Sequence, residues 1–200
     1  MDITGEKGVK KWRKLLFLSS KFAAVGAKWH LLLPGEAALR YISAMDEKRE
    51  LLRHTVATLA YRACRALEDS PESFAAFEGT GKRPETILAH MGDLFKWALS
   101  IAQGNETWYR STPLAWADEQ KRFFADLSAF DAYLASDAPL HATAERLFQG
   151  PVADALTHVG QLSMMRRLAG CQSWSENFSV AKIAAGQASS EQPEAVKRFK

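Results

Sequence analysis

Cysteine is nearly absent from the 200 residues: Cys64 and Cys171 are too few for a disulfide framework and read as reduced intracellular thiols. Glycine and proline, at 12 and 7 residues, are too sparse for a collagen-like or low-complexity chain. A long uninterrupted apolar run is also missing. The most hydrophobic stretch, residues 14–33, is broken by Lys21 and Lys28, whereas a spanning helix needs about 20 predominantly apolar residues. No integral membrane segment is therefore expected. Lys10–Lys14 could start a secretory signal and Val25–Gly26–Ala27 could end one, but Lys21 interrupts the apolar core that would lie between them. No Gly-rich phosphate loop, His-Glu-x-x-His or Cys-x-x-Cys motif occurs.

What is present is the composition of one soluble domain, 47 % apolar and 24 % charged. The net charge of +3 is unevenly placed: residues 1–44 hold eight basic and three acidic residues, leaving 18 basic and 20 acidic for the rest. The body is slightly acidic. A nucleic-acid reader carries its basic stripe on the folded domain, so no nucleic-acid partner is expected. Residues 1–44 read as a basic, helical N-terminal extension. It would dock on the body or a membrane surface, or simply precede a fold beginning near Met45, with Pro34–Gly35 marking the join.

From Asp46 onward, helix-period segments alternate with Pro, Gly and Ser punctuation, which predicts an all-α fold. A first helix over 47–67 carries Leu52, Val56, Leu59, Ala63 and Leu67 on one stripe and ends before Asp69–Ser70–Pro71. A second starts at Pro84, with the stripe Ile87, His90, Leu94, Trp97 and Ile101, and Gly104 just past its end. A third, over 117–135, presents Phe123, Phe124, Leu127, Phe130, Tyr133 and Leu134. A fourth is expected after Gly150, with Pro151 in its first turn, Gly170 as its stop and Ala155, His158, Leu162 and Met165 facing inward. Together they satisfy the requirements of a four-helix bundle over 45–187, and residues 188–200 read as a polar, solvated tail.

A carboxylate and an imidazole at i and i+4 share a helix face. Four such pairs occur: Glu50/His54, Asp137/His141, His141/Glu145 and Asp154/His158. Placement discriminates among them. His54 lies off the Leu52/Val56 stripe and reads as an exposed partner of Glu50; His141 sits in a connection, and His30 in the extension. His90 and His158 fall on bundle-facing stripes, where an unpaired imidazole costs about 1–3 kcal/mol. Each is therefore either a core histidine satisfied by a carbonyl, a hydroxyl or Asp154, or a ligand, with His90, Asp154 and His158 converging on one divalent metal ion. Such a set leaves coordination positions open and suits Zn, Ni or Fe without choosing among them. Asp93 and Gln161, three residues beyond the two histidines, are candidates to orient an imidazole or a bound water, and Asp93 reads equally well as a surface carboxylate. Arg166 and Arg167 read as cations at the negative end of their own helix, with anion binding as the lesser alternative.

The segment Ile87–Leu88–Ala89–His90–Met91–Gly92–Asp93, followed by Gln149–Gly150–Pro151–Val152–Ala153–Asp154–Ala155–Leu156–Thr157–His158–Val159–Gly160–Gln161–Leu162, resembles the DinB-like superfamily of four-helix-bundle metalloenzymes. The resemblance covers about residues 46–187, including Glu176–Asn177–Phe178 and Ala181–Lys182–Ile183. It implies an up-down-down-up bundle, commonly a homodimer, with one divalent metal held by three histidines of the second and last long helices. His90 and His158 match two of these ligands, while Asp154 stands where the family usually has the first histidine of a His-x-x-x-His pair. Similar proteins include thiol-dependent transferases and isomerases. The expectation is a cytoplasmic, metal-dependent enzyme that transfers or adds a low-molecular-weight thiol to an electrophilic substrate. The alternative is a bundle that binds a metal or a partner without turnover.

Overall fold

The structure, a computed structural model, describes residues 34–79 and 81–199. The chain divides into two compact units, Met1–Arg40 and Tyr41–Lys200, and apart from the start of the first helix everything that follows concerns the second. The basic extension as far as residue 33, His30 with it, lies outside the described residues. The fold is predominantly helical. Helix α1 spans Pro34–Leu67, a single turn α2 spans Glu72–Ala75, α3 runs Pro84–Ala102 and α4 runs Trp116–Ala135. A turn α5, Ala144–Leu147, passes through a π-helical turn at Phe148–Val152 into α6, Ala153–Leu168. No described helix is long and apolar enough to cross a membrane.

The predicted apolar stripes form the core. Leu52, Val56, Leu59, Ala63 and Leu67 of α1 are all buried, as are Ile87, Leu94 and Ile101 of α3 and Phe123, Phe124, Leu127, Phe130 and Leu134 of α4. Phe95 lies between Phe123 and Phe130, with ring centroids 6.1 and 6.0 Å away, and α3 packs against both α4 and α6. Gly104 and Gly170, at φ +79° and +72°, follow the ends of α3 and α6, where a side chain would oppose the left-handed turn.

Two helix starts differ from expectation. α1 continues back to Pro34: proline suits a first helical turn, and no breaker follows Gly35 before Leu67. The last long helix does not begin after Gly150 either, because Thr143 caps an earlier start by accepting a hydrogen bond from the Arg146 N–H at 3.2 Å. Pro151 thus sits inside the helical run. It has no N–H to donate, and the wider π turn accommodates the break in the ladder.

Residues 188–199 are not a free solvated tail. Ala188 is buried, its carbonyl accepts from Ser128 Oγ at 3.1 Å, and Arg198–Phe199 (β2) pairs antiparallel with Ser175–Glu176 (β1), Glu176 opposite Arg198. The anchor is Glu176, whose Oε1 accepts from the Tyr61 hydroxyl at 2.5 Å while Oε2 faces Arg65 Nε at 3.4 Å. Arg166 also departs from its expected place. Its Nη1 donates to the carbonyls of Ala66 and Arg65 at 3.2 and 3.4 Å, closing the C-terminus of α1 and not of its own helix.

Between α3 and α4, Asp126 Oδ2 is buried without a hydrogen bond, with Lys96 Nζ 3.7 Å away. Burial pushes this carboxyl up to about 6, against the pull of Lys96 and Arg122. A folded-state value above the unfolded one means that the native protein holds a proton the unfolded chain releases, so stability falls as pH rises from about 4 to about 6 and levels off above. Replacing Asp126 by Asn is expected to flatten this slope, its gain over the wild type being larger at pH 7 than at pH 4. Urea unfolding at several pH values measures it, and parallel profiles for the two proteins would contradict it.

Candidate metal centre

His90 lies in the second turn of α3, and Asp154 and His158 lie one turn apart on the first two turns of α6. Packing of α3 on α6 brings the three together. His90 Nε2 is 3.5 Å from one carboxylate oxygen of Asp154, His158 Nε2 is 3.4 Å from the other, and the two imidazoles meet edge to face with centroids 5.0 Å apart. One donor atom from each residue lies within 4.8 Å of the other two. Atoms each bound at about 2.0–2.2 Å to one cation are themselves roughly 3–3.6 Å apart at tetrahedral or octahedral angles; the two separations from Asp154 fall in that range, and the widest pair of the group, within 4.8 Å, would close further around a shared ion. The two imidazole–carboxylate contacts, at 3.5 and 3.4 Å, are long for hydrogen bonds and are ion pairs only where a ring is protonated.

His158 Nδ1 lies 2.8 Å from Gln161 Oε1. A carbonyl oxygen only accepts, so Nδ1 is the donor in this contact, and Nε2 is the ring nitrogen that faces Asp154. Gln161 thus sits where a residue that orients a ligand must sit. Asp93 hydrogen-bonds Ser111 and not His90. It is buried, and its carboxylate accepts from the Ser111 N–H at 2.7 Å and the Ser111 hydroxyl at 2.6 Å, so it is not a surface carboxylate either.

The bond from Asp93 shapes the site at one remove. Ser111 belongs to the connection 103–115, which is also tied by the Thr107 N–H to Ser100 Oγ at 2.9 Å and by the Leu114 N–H to Glu119 at 2.9 Å. These ties place Trp108 beside His90, ring centroids 5.9 Å apart, and edge-on to Trp97 at 5.3 Å. Sequence reading missed Trp108, Tyr109 and Ser111. Their one signal was an aromatic pair in a polar connection, without a period to place it.

The centre is at the rim of the helical core and not at its heart. The side chains of His90 and Asp154 are 35 % and 48 % exposed, while that of His158 is 12 % exposed. A cavity of about 330 Å³ opens onto His90 and His158 and is walled by Ile87, Trp108, Tyr109 and Arg110. A neighbouring one of about 380 Å³ reaches His158 from the side of Gln161, Met164 and Met165. A small molecule can therefore approach the open side of the donor set.

The other described histidines, His54 and His141, stay apart. His54 is exposed and Glu50 pairs with Arg53 at 3.0 Å, while His141 is exposed in its connection. Cys64 and Cys171 are both free thiols, and burial raises the Cys64 thiol above its ordinary value, which keeps it a poor nucleophile. Comparison with protein-family models, with curated proteins and with solved structures finds no match.

Gln161→Ala frees the His158 ring to rotate and to change tautomer. Metal affinity is expected to fall about 10–100-fold with the fold intact, as measured by competition with a chromophoric chelator. An unchanged affinity would remove Gln161 from the site.

Proposed function

We propose that this chain is a divalent-metal-dependent enzyme that adds or transfers a low-molecular-weight thiol to an electrophile, built as an up-down-down-up four-helix bundle and working as a cytoplasmic homodimer. The observation that carries the reading is the meeting of His90, Asp154 and His158 beside an open cavity. Two imidazoles and one carboxylate would hold a zinc, nickel or ferrous ion and leave positions free for a ligand from solution. Such an ion, when bound, supplies the Lewis acidity that makes a thiol give up its proton near neutral pH.

The chain's own residues do the rest. Gln161 holds the His158 ring in one tautomer, and Asp154, facing both imidazoles, adds the negative charge that offsets a dication. Trp108 and Tyr109 offer flat apolar surface to an electrophile, and Arg110 brings positive charge to the wall, suited to the carboxylate that many cellular thiols carry. The second reading, a bundle that holds a metal without turnover, is favoured by the exposure of Asp154, since a carboxylate that accessible is a weak electrostatic partner.

Turnover separates the two. Metal-loaded protein is expected to conjugate at least one of a panel of cellular thiols to an activated aryl halide, with loss of halide and of the thiol proton. Rate should vanish on chelation and return on adding metal back. Inertness toward every thiol with the metal bound would leave the non-catalytic bundle.

A further inference from the structure

On the far flank of α6 from the metal-ligating group lies a second, larger cavity, of about 690 Å³. At about 100° per residue, Asp154, His158 and Gln161 fall within a roughly 60° arc of the helix, while Leu156, Ser163, Arg166 and Arg167 cluster on the other side. The opposite walls are α1 and the C-terminal segment that Glu176 anchors. Four guanidinium groups line this space, those of Arg62, Arg65, Arg166 and Arg167, against one carboxylate, Glu176.

Glu176 is already engaged by Tyr61 and Arg65, and Arg65 pairs with Glu68 as well. The other three arginines have no carboxylate within ion-pair distance among the described residues. Arg62 stacks over the Phe178 ring at 4.2 Å, and Arg167 reaches only the hydroxyls of Ser173 and Ser175, both at 3.4 Å. Arg166 is the decisive one. It is 4 % exposed, its polar contacts are the two carbonyls that end α1, and its Nε makes no hydrogen bond. Burial works against that charge, and the nearby Cys171, Glu68 and Asp69, with the carbonyl end of α1, offset it only in part. A buried cation with no carboxylate in ion-pair contact is costly to a fold and recurs where an anion is to be bound. Around the charges stand Trp174, Phe178 and Phe199, and Trp174 and Phe199 are about half exposed. Their rings have no place in the core and offer a platform to a flat guest.

We infer that this cavity binds a small organic anion with an aromatic body, its phosphate or carboxylate held by Arg62, Arg166 and Arg167 and its ring laid against Trp174, Phe178 and Phe199. The space is within the size range of small-molecule sites, and planar guanidinium forks match both acidic groups. The site is separate from the metal centre and does not depend on it.

Isothermal titration of the full chain, stripped of metal by a chelator, with phenyl phosphate, phthalate and benzyl alcohol tests this. One anion per chain should bind and benzyl alcohol should not, with tighter binding of phenyl phosphate assigning a phosphate guest and of phthalate a carboxylate guest. Arg62→Gln and Arg167→Gln, both at exposed positions, should each weaken binding at least about tenfold while circular dichroism and Tm stay at wild-type values. Phenylalanine at Trp174 should keep most of the affinity and alanine should lose it. Failure of both anions to bind, equal binding of benzyl alcohol, or affinity unmoved by both arginine substitutions would overturn the inference.

Discussion

The candidate metal centre depends on the register in which α3 packs against α6. His90 and the Asp154/His158 pair belong to different helices and cannot find each other through local chain geometry. Within α6 the spacing of four residues guarantees that Asp154 and His158 share a face, but only the packing of Ile87, Leu94, Leu162 and Met165 into the core turns that face toward His90. The π turn at Phe148–Val152 belongs to the same constraint. A widened turn re-phases the helix that follows it, so the turn around Pro151 helps set the direction in which Asp154 and His158 point.

A hierarchy of support follows from that register. Gln161 fixes the His158 ring from within the same helix, one turn on. Asp93 acts through the chain, holding Ser111 and with it the connection that sets Trp108 against His90. Both residues were singled out by spacing, and they end in different roles: position 161 continues the face of His158, whereas position 93 turns toward the connection 103–115. The charged groups of α6 are divided in the same manner, acid and imidazole on one flank and guanidinium on the other, with the apolar residues between them in the core.

Most of the secondary structure was legible because it rests on local chemistry. The stripes of α1, α3 and α4 read correctly, and the glycines after α3 and α6 mark real ends. The candidate ligands were legible too, since a polar residue on an apolar stripe demands a partner. Periodicity gives an angle around a helix but not a depth, so His90 and Asp154 were expected inside and lie at the rim. The early start at Thr143 was hidden by Pro151, which reads as a beginning unless a π turn is allowed for. The C-terminal residues look solvated by composition, and only tertiary bonds such as Tyr61 to Glu176 and Ser128 to Ala188 hold them down. Arg166 likewise reads as belonging to its own helix end, because nothing local reveals that α1 terminates beside it.

Cobalt(II) titration is the most direct measurement of whether the three donors share one ion, because its visible absorption reports the number and type of ligands. The wild-type protein should saturate at one equivalent with a nitrogen and oxygen ligand spectrum, and His90→Ala, Asp154→Ala and His158→Ala should each lose or alter that spectrum while remaining folded. Spectra indistinguishable between the wild type and all three variants would contradict the account.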